Sequence, residues 1–124
     1  MSDRRAALTE KAMRALASAR AMLGHGDAEA AANRAYYACF HMARAALLGV
    51  GEEPKTHSGV HSRFALRFVA SGLVTPETAR ALPHLAQVRE KADYDFLSAS
   101  DERAAADLLA DAERFVEVVR ALIE

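Results

Sequence analysis

Apolar side chains recur along this chain at every third or fourth position, the period of one helix face. Leu8, Ala12, Leu16, Ala19 and Leu23 keep that spacing, so residues 3–23 are predicted to form an amphipathic helix. "GHGD" ends it, with Gly24 expected as the C-cap and Asp27 as the next N-cap. A second helix is predicted from Ala28 to Leu48, with Tyr36, Phe40, Ala43 and Leu47 on one face. It is the least charged of the long helices, which predicts a place at the centre of a bundle. "GVGEEPKTHSG" is rich in Gly, Pro and charge and reads as the one substantial loop.

A third helix, Ser58 to Ser71, is expected to bury Val60, Phe64, Phe68 and one of Leu66 and Val69, with Gly72 closing it. Thr75 as N-cap and Pro76 at the first helical position mark a short helix. Another is expected to start at Pro83, with Leu85, Val88 and Ala92 on one stripe. "SASDE" supplies a cap and first-turn acids for the last helix, whose apolar stripe includes Leu108, Leu109, Ala112, Phe115, Val116, Val119 and Leu122. No repeat, low-complexity tract or linker interrupts this pattern. The chain, residues 1–124, reads as a single all-α domain, an up-and-down bundle of four main helices plus a short one.

Composition agrees with helices. Gly and Pro are few, Trp is absent, and Val, Ile and Thr are sparse. A chain of 124 residues can bury roughly two-thirds of its unfolded surface, enough for one independent core. The net charge of −1 gives no global field for nucleic acid, so any such binding needs a local basic patch. The single Cys39 excludes an intrachain disulfide framework and a multi-Cys metal site. The charged start, "MSDRRAALTEK", is not followed by the apolar segment of a secretory signal. The longest apolar run, Ala35 to Val50, is broken by His41 and Arg44 and falls short of the roughly 20 apolar residues of a membrane span. These features lead to the expectation of a cytoplasmic protein without membrane contact.

Three constellations carry candidate chemistry. Arg34, Tyr37 and His41 share one face of the second helix over about 10 Å. They line either a helix or subunit interface, or a cleft in which Arg34 holds phosphate and His41 moves a proton. Their neighbours Tyr36, Cys39 and Phe40 read as packing. "REKADYDF" places Arg89 and Asp93 four apart, as an ordinary intrahelical ion pair or as an anion site with Asp93 orienting Arg89 and Tyr94 at the helix end. "EPKTHSGVHSR" gathers Lys55, His57, His61 and Arg63. His57 and His61 have the spacing of a helical metal pair but lack a supporting carboxylate, so no metal is expected. No phosphate-cradling glycine loop, HExxH motif or serine elbow is present, and no cofactor is expected.

"AANRAYYACFHMARAALLGVGEEPKTHSGVHSRF", followed by "LPHLAQVREKADYDF", resembles the HEPN superfamily, in particular its small stand-alone prokaryotic branch. There a helix of the form "RAYYAxFHxARALL" leads into "PKTHxGV" and then "R-x-x-A-D-Y". The resemblance spans Ala31 to Phe96. It implies a helical bundle that pairs into a homodimer, and partnership with a minimal nucleotidyltransferase acting as antitoxin. It also implies a metal-independent ribonuclease, in which an arginine and a histidine separated by four to six residues face their copies across the dimer cleft. Such chemistry needs a base for the attacking 2′-hydroxyl and a cation for the charge developing on phosphate.

The chain departs from that pattern where Tyr94 stands in place of the histidine after Arg89. Arg34 to His41 matches the arginine–histidine spacing, but on the second helix. The resemblance therefore assigns phosphate binding to Arg89. Asp93 and Tyr94 line the site, and Tyr94 positions RNA or accepts a nucleotidyl group. His41, or else His57, is the base, and Arg34, Tyr37, Lys55 and His57 contact RNA or nucleotide. The rival expectations are a helical module that binds RNA, nucleotide or a partner without cleavage, and a seam that serves only as a dimer interface.

Overall fold

The computed structural model describes residues 3–94 and 102–124; for residues 92–94 the description covers the backbone alone. The helices are α1 (Asp3–Gly24), α2 (Ala28–Gly49), α3 (His57–Phe64), α4 (Pro76–Ala79), α5 (Ala81–Tyr94) and α6 (Glu102–Ile123). No strand occurs among the described residues, as expected of an all-α bundle.

The centre is α2, which packs against α1, α3, α5 and α6. Fourteen of its 22 residues are buried, and many of these are alanine. Small side chains let neighbouring helices approach on several sides at once, which is why α2 takes this place. Ala12, Leu16 and Ala19 of α1 and Leu109, Ala112, Phe115, Val116 and Val119 of α6 complete the apolar core with α2. Phe115 meets Phe64 at 5.3 Å between ring centroids, and Phe64 stacks on Phe68 at 5.0 Å.

The ends of the helices follow the expected residues with some displacement. α1 continues through Gly24, and the left-handed residue is Gly26 at φ +80°. Gly26 N donates to Leu23 O at 3.0 Å and Asp27 N to Met22 O at 2.9 Å, which together close a Schellman turn. Asp27 then caps α2 by accepting from Ala30 N at 3.0 Å. Thr56 caps α3 through Gly59 N at 2.9 Å, and Thr75 caps α4 through Thr78 N at 3.2 Å.

α5 begins at Ala81 rather than Pro83. Pro83 sits within the first turn, where a helix has no acceptor for its N–H groups and proline loses nothing. The cap expected in "SASDE" lies outside the described residues apart from Glu102, which opens α6.

The third helix is not a uniform α-helix. After Phe64 it widens into a π turn over Ala65–Val69, with Ala70 N donating to Ala65 O at 2.9 Å. Val60, Phe64 and Phe68 are spaced by four, and a stripe spaced by four drifts around a helix of 3.6 residues per turn. The wider turn absorbs that drift. Val69 is half-buried, whereas Leu66 is 55% exposed.

Candidate active site

One face of α2 carries rings and cations instead of close-packed alanine. Tyr36 and Tyr37 meet edge-on at 5.1 Å, and Tyr36 stacks with Phe40 at 5.7 Å. Three arginines lie over these rings. The Arg89 guanidinium, from α5, is 5.1 Å from the Tyr36 centroid and 5.6 Å from that of Tyr37. Arg34 lies 5.1 Å from Tyr37, and Arg44 lies 5.9 Å from Phe40. Each such contact is worth about 0.5–2 kcal/mol, depending on how dry it is. None of the three forms an ion pair among the described residues. Arg34 bonds only to Asn33 Oδ1, and the buried Nε of Arg89 has no partner among them.

α3 adds two histidines. The Thr56 cap starts the helix so that His57 and His61, one turn apart, both face α2. The His57 ring stacks on Phe40 at 4.1 Å and 15°. Its Nδ1 is 2.8 Å from the Tyr36 hydroxyl, and Nε2 of His61 is 3.1 Å from the same oxygen. Burial, then Arg89 and Arg44, hold His57 below its ordinary pKa. Burial and His57 do the same for His61. Burial pushes Tyr36 up to about 12. At neutral pH the trio therefore consists of two neutral imidazoles and a protonated phenol. No third ligand joins the two histidines to make a metal-binding group among the described residues.

The structure divides the residues expected at a site. Arg34, Tyr37, His57 and Arg89 come together around the rings of α2. His41 joins them from behind: it is 8% exposed, tilted against Tyr37 and Phe40 at 5.8 Å, and its buried Nδ1 has no partner among the described residues. Burial, followed by Lys11, Arg44, Arg34 and His57, lowers its pKa to about 4. Lys55 is exposed on the loop before α3. The side chains of Asp93 and Tyr94 lie outside the described residues.

Arg63 leaves the basic cluster read from the sequence. It and Arg67 grip Glu52, which ties the loop to α3. Hydrogen bonding from Arg63, more than any other influence, holds Glu52 below the usual carboxylate range. Cys39 is packing: it is fully buried, and burial raises its thiol pKa far above the ordinary value.

Sequence reasoning missed Tyr36 as the residue joining both histidines, and His61 as a member of the site. The available signal was the pair His57-x3-His61 directly after a helix cap, which fixes both rings on one face.

The comparisons with known proteins address the same fold. The HEPN domain model matches residues 6–122. The chain belongs to the HEPN family. A "UPF0332 protein" of Thermotoga maritima is 32% identical over 92% of this chain and 86% of that relative. A protein of Methanocaldococcus jannaschii named "Putative toxin MJ0605" is 35% identical over 92% of this chain and 84% of its own length. A "UPF0332 protein PH1297" of Pyrococcus horikoshii is 44% identical over 56% of this chain and 49% of its own length. The HEPN match covers every helix of the site, from α2 through α3 to α5. No helix of the described HEPN chain is long and apolar enough to cross a membrane.

Proposed function

We propose that this HEPN protein acts on RNA as a toxin-like, metal-independent endoribonuclease. The observation that carries this reading is Arg89. Its guanidinium lies on two tyrosine rings with a buried Nε that has no partner among the described residues, flanked by Arg34 and Arg44 and close to the exposed imidazole of His57. Cations held on rings rather than by carboxylates are available to an incoming phosphate, and a planar guanidinium fits phosphate oxygens in pairs. The exposed His57 ring and the half-buried Tyr37 ring suit unstacked bases, as in single-stranded RNA.

Arg89 grips the scissile phosphate and stabilises the charge that develops when the 2′-hydroxyl attacks phosphorus. A neutral histidine takes the hydroxyl proton. His57 fits that task better than His41, because His41 is enclosed in the helix layer whereas His57 is exposed and its Nε2 makes no hydrogen bond among the described residues. Arg34 and Tyr37 hold the adjoining nucleotide, Lys55 reaches the strand from the loop, and Asp93 and Tyr94 border the site at the end of α5. The same reading pairs two copies of the chain around a shared cleft. It also places the activity under a minimal nucleotidyltransferase antitoxin, for which Tyr94 is the acceptor. The toxin name of the Methanocaldococcus jannaschii relative supports this setting.

The test is cleavage of an end-labelled RNA in EDTA by wild type and Arg89→Ala. Wild type is expected to cut, and the variant to lose about 100-fold or more. Equal cutting by both would remove Arg89 from the chemistry. RNA bound by both but left intact would make the cleft a binding module.

A further inference from the structure

We propose that Tyr36 wires His57 to His61 as a proton relay, so that the proton His57 takes from the RNA is parked on His61 until the leaving oxygen needs it. The wiring rests on geometry alone, and its catalytic use rests on the ribonuclease reading above. A phenol has one proton and stands here between two ring nitrogens, at 2.8 and 3.1 Å. When both imidazoles are neutral, the hydroxyl donates to one and accepts an N–H from the other.

Two arrangements follow. In the first, His57 Nδ1–H donates to the phenol oxygen and the phenol donates to His61 Nε2. His57 Nε2 is then a bare lone pair, ready to act as a base. In the second, His61 Nε2–H donates to the phenol and the phenol donates to His57 Nδ1. His57 Nε2 then carries a proton and can act as an acid. The state of His61 thus sets the role of His57 through one hydroxyl.

Cleavage uses the two in turn. As the 2′-oxygen bonds to phosphorus, its proton moves to His57 Nε2. The Nδ1 proton of His57 passes to the Tyr36 oxygen while the phenolic proton moves to His61 Nε2. His61 becomes the imidazolium, and His57 is neutral with its outer nitrogen protonated. When the bond from phosphorus to the 5′-oxygen breaks, that oxygen takes the Nε2 proton. The relay then runs backward and His61 returns to neutral. The 2′-hydroxyl proton is thereby balanced by the new 5′-hydroxyl, with no outside acid or base consumed.

The surroundings explain why the charge leaves His57. The charged groups that face His57 are Arg89 on α5 and Arg44 on α2, and its other neighbours are the uncharged rings of Tyr36, Tyr37 and Phe40. An imidazolium there would repel the guanidinium groups that bind substrate. His61 lies one turn further along α3, about 6 Å along the axis. Its electrostatic neighbour is His57 itself. It also lines an open groove of about 460 Å³ with Ser62, Arg80 and Pro83, where water can solvate a parked charge.

Imidazole ¹⁵N NMR of the full chain, without RNA, tests the wiring. As pH is lowered and His61 protonates, His57 is expected to shift to the Nε2–H tautomer in wild type and not in Tyr36→Phe. A His57 tautomer indifferent to the charge on His61 would overturn the proposal. Cleavage in EDTA tests the use of the relay. His57→Ala is expected to lose about 100-fold. His61→Gln still offers the phenol a hydrogen-bond partner but cannot pass the proton on, and about a 10-fold loss in kcat with KM unchanged is expected. Full activity in His57→Ala, beside inactive Arg89→Ala, would overturn the relay and leave the ribonuclease standing. RNA left intact by wild type would count against the ribonuclease, while the tautomer coupling would still uphold or overturn the wiring.

Discussion

The two sides of α2 are built from the same helix but by opposite rules. Towards α1 and α6 it presents mainly alanine, Cys39 and Met42, with large neighbours such as Leu16 and Phe115 filling the space between. Towards α3 and α5 it presents Tyr36, Tyr37 and Phe40 and collects arginines and histidines. The first side stabilises by excluding water. The second leaves a buried Arg89 Nε and a buried His41 Nδ1 without partners among the described residues. Unpaired buried polar groups of that kind cost on the order of 1–3 kcal/mol each. A fold that tolerates such groups on one face while satisfying the other concentrates its chemistry on the costly face.

The comparison predicts large stability effects on the apolar side. Phe115→Ala removes a fully buried ring between α2 and α3 and is expected to cost about 3–5 kcal/mol in urea unfolding. A loss under about 1 kcal/mol would show that this side is not the core. On the polar side, His41 makes stability depend on pH. Its pKa falls from the ordinary 6.5 to about 4, so its contribution is fully present above about pH 6.5 and is lost as pH falls towards 4. Up to about 3 kcal/mol is expected to disappear across that window. His41→Met should flatten the profile, as followed by denaturant midpoints at several pH values, and an unchanged profile would mean that another group drives it.

Much of the fold was legible in the sequence because it rests on local patterns. The stripes of α1, α2 and α6, and the caps at Asp27 and Thr75, follow from spacing and residue type alone, whereas in the sequence the Thr56 cap reads as part of the loop. The π turn after Phe64 was not legible, since its cause is a core stripe that must stay aligned with Phe115 on a distant helix. At the site, Arg89 and His57 were visible as members of motifs. Tyr36 was not, because an apolar-face tyrosine looks like packing until α3 brings two histidines to its hydroxyl. Those bonds join residues 21 and 25 positions apart, and no spacing rule reaches across a loop of that kind.

Smaller effects sharpen the same contrast. Gly26→Ala forces a side chain into a left-handed turn and is expected to cost about 1 kcal/mol or slightly more. The exposed Arg20–Glu113 pair joins α1 to α6 at 2.7 Å, and Glu113→Gln should change stability by less than about 1 kcal/mol. A larger loss would mean that charge, and not only apolar burial, holds that side together.

The most direct measurement pairs two readings on one preparation of Arg89→Ala: its unfolding free energy, and its rate of RNA cleavage in EDTA. Stability within about 1 kcal/mol of wild type is expected, since the loss of two ring contacts is offset by removal of the costly buried Nε, together with an about 100-fold loss of cleavage. Undiminished cleavage by a well-folded variant would contradict the assignment of this face as the active site.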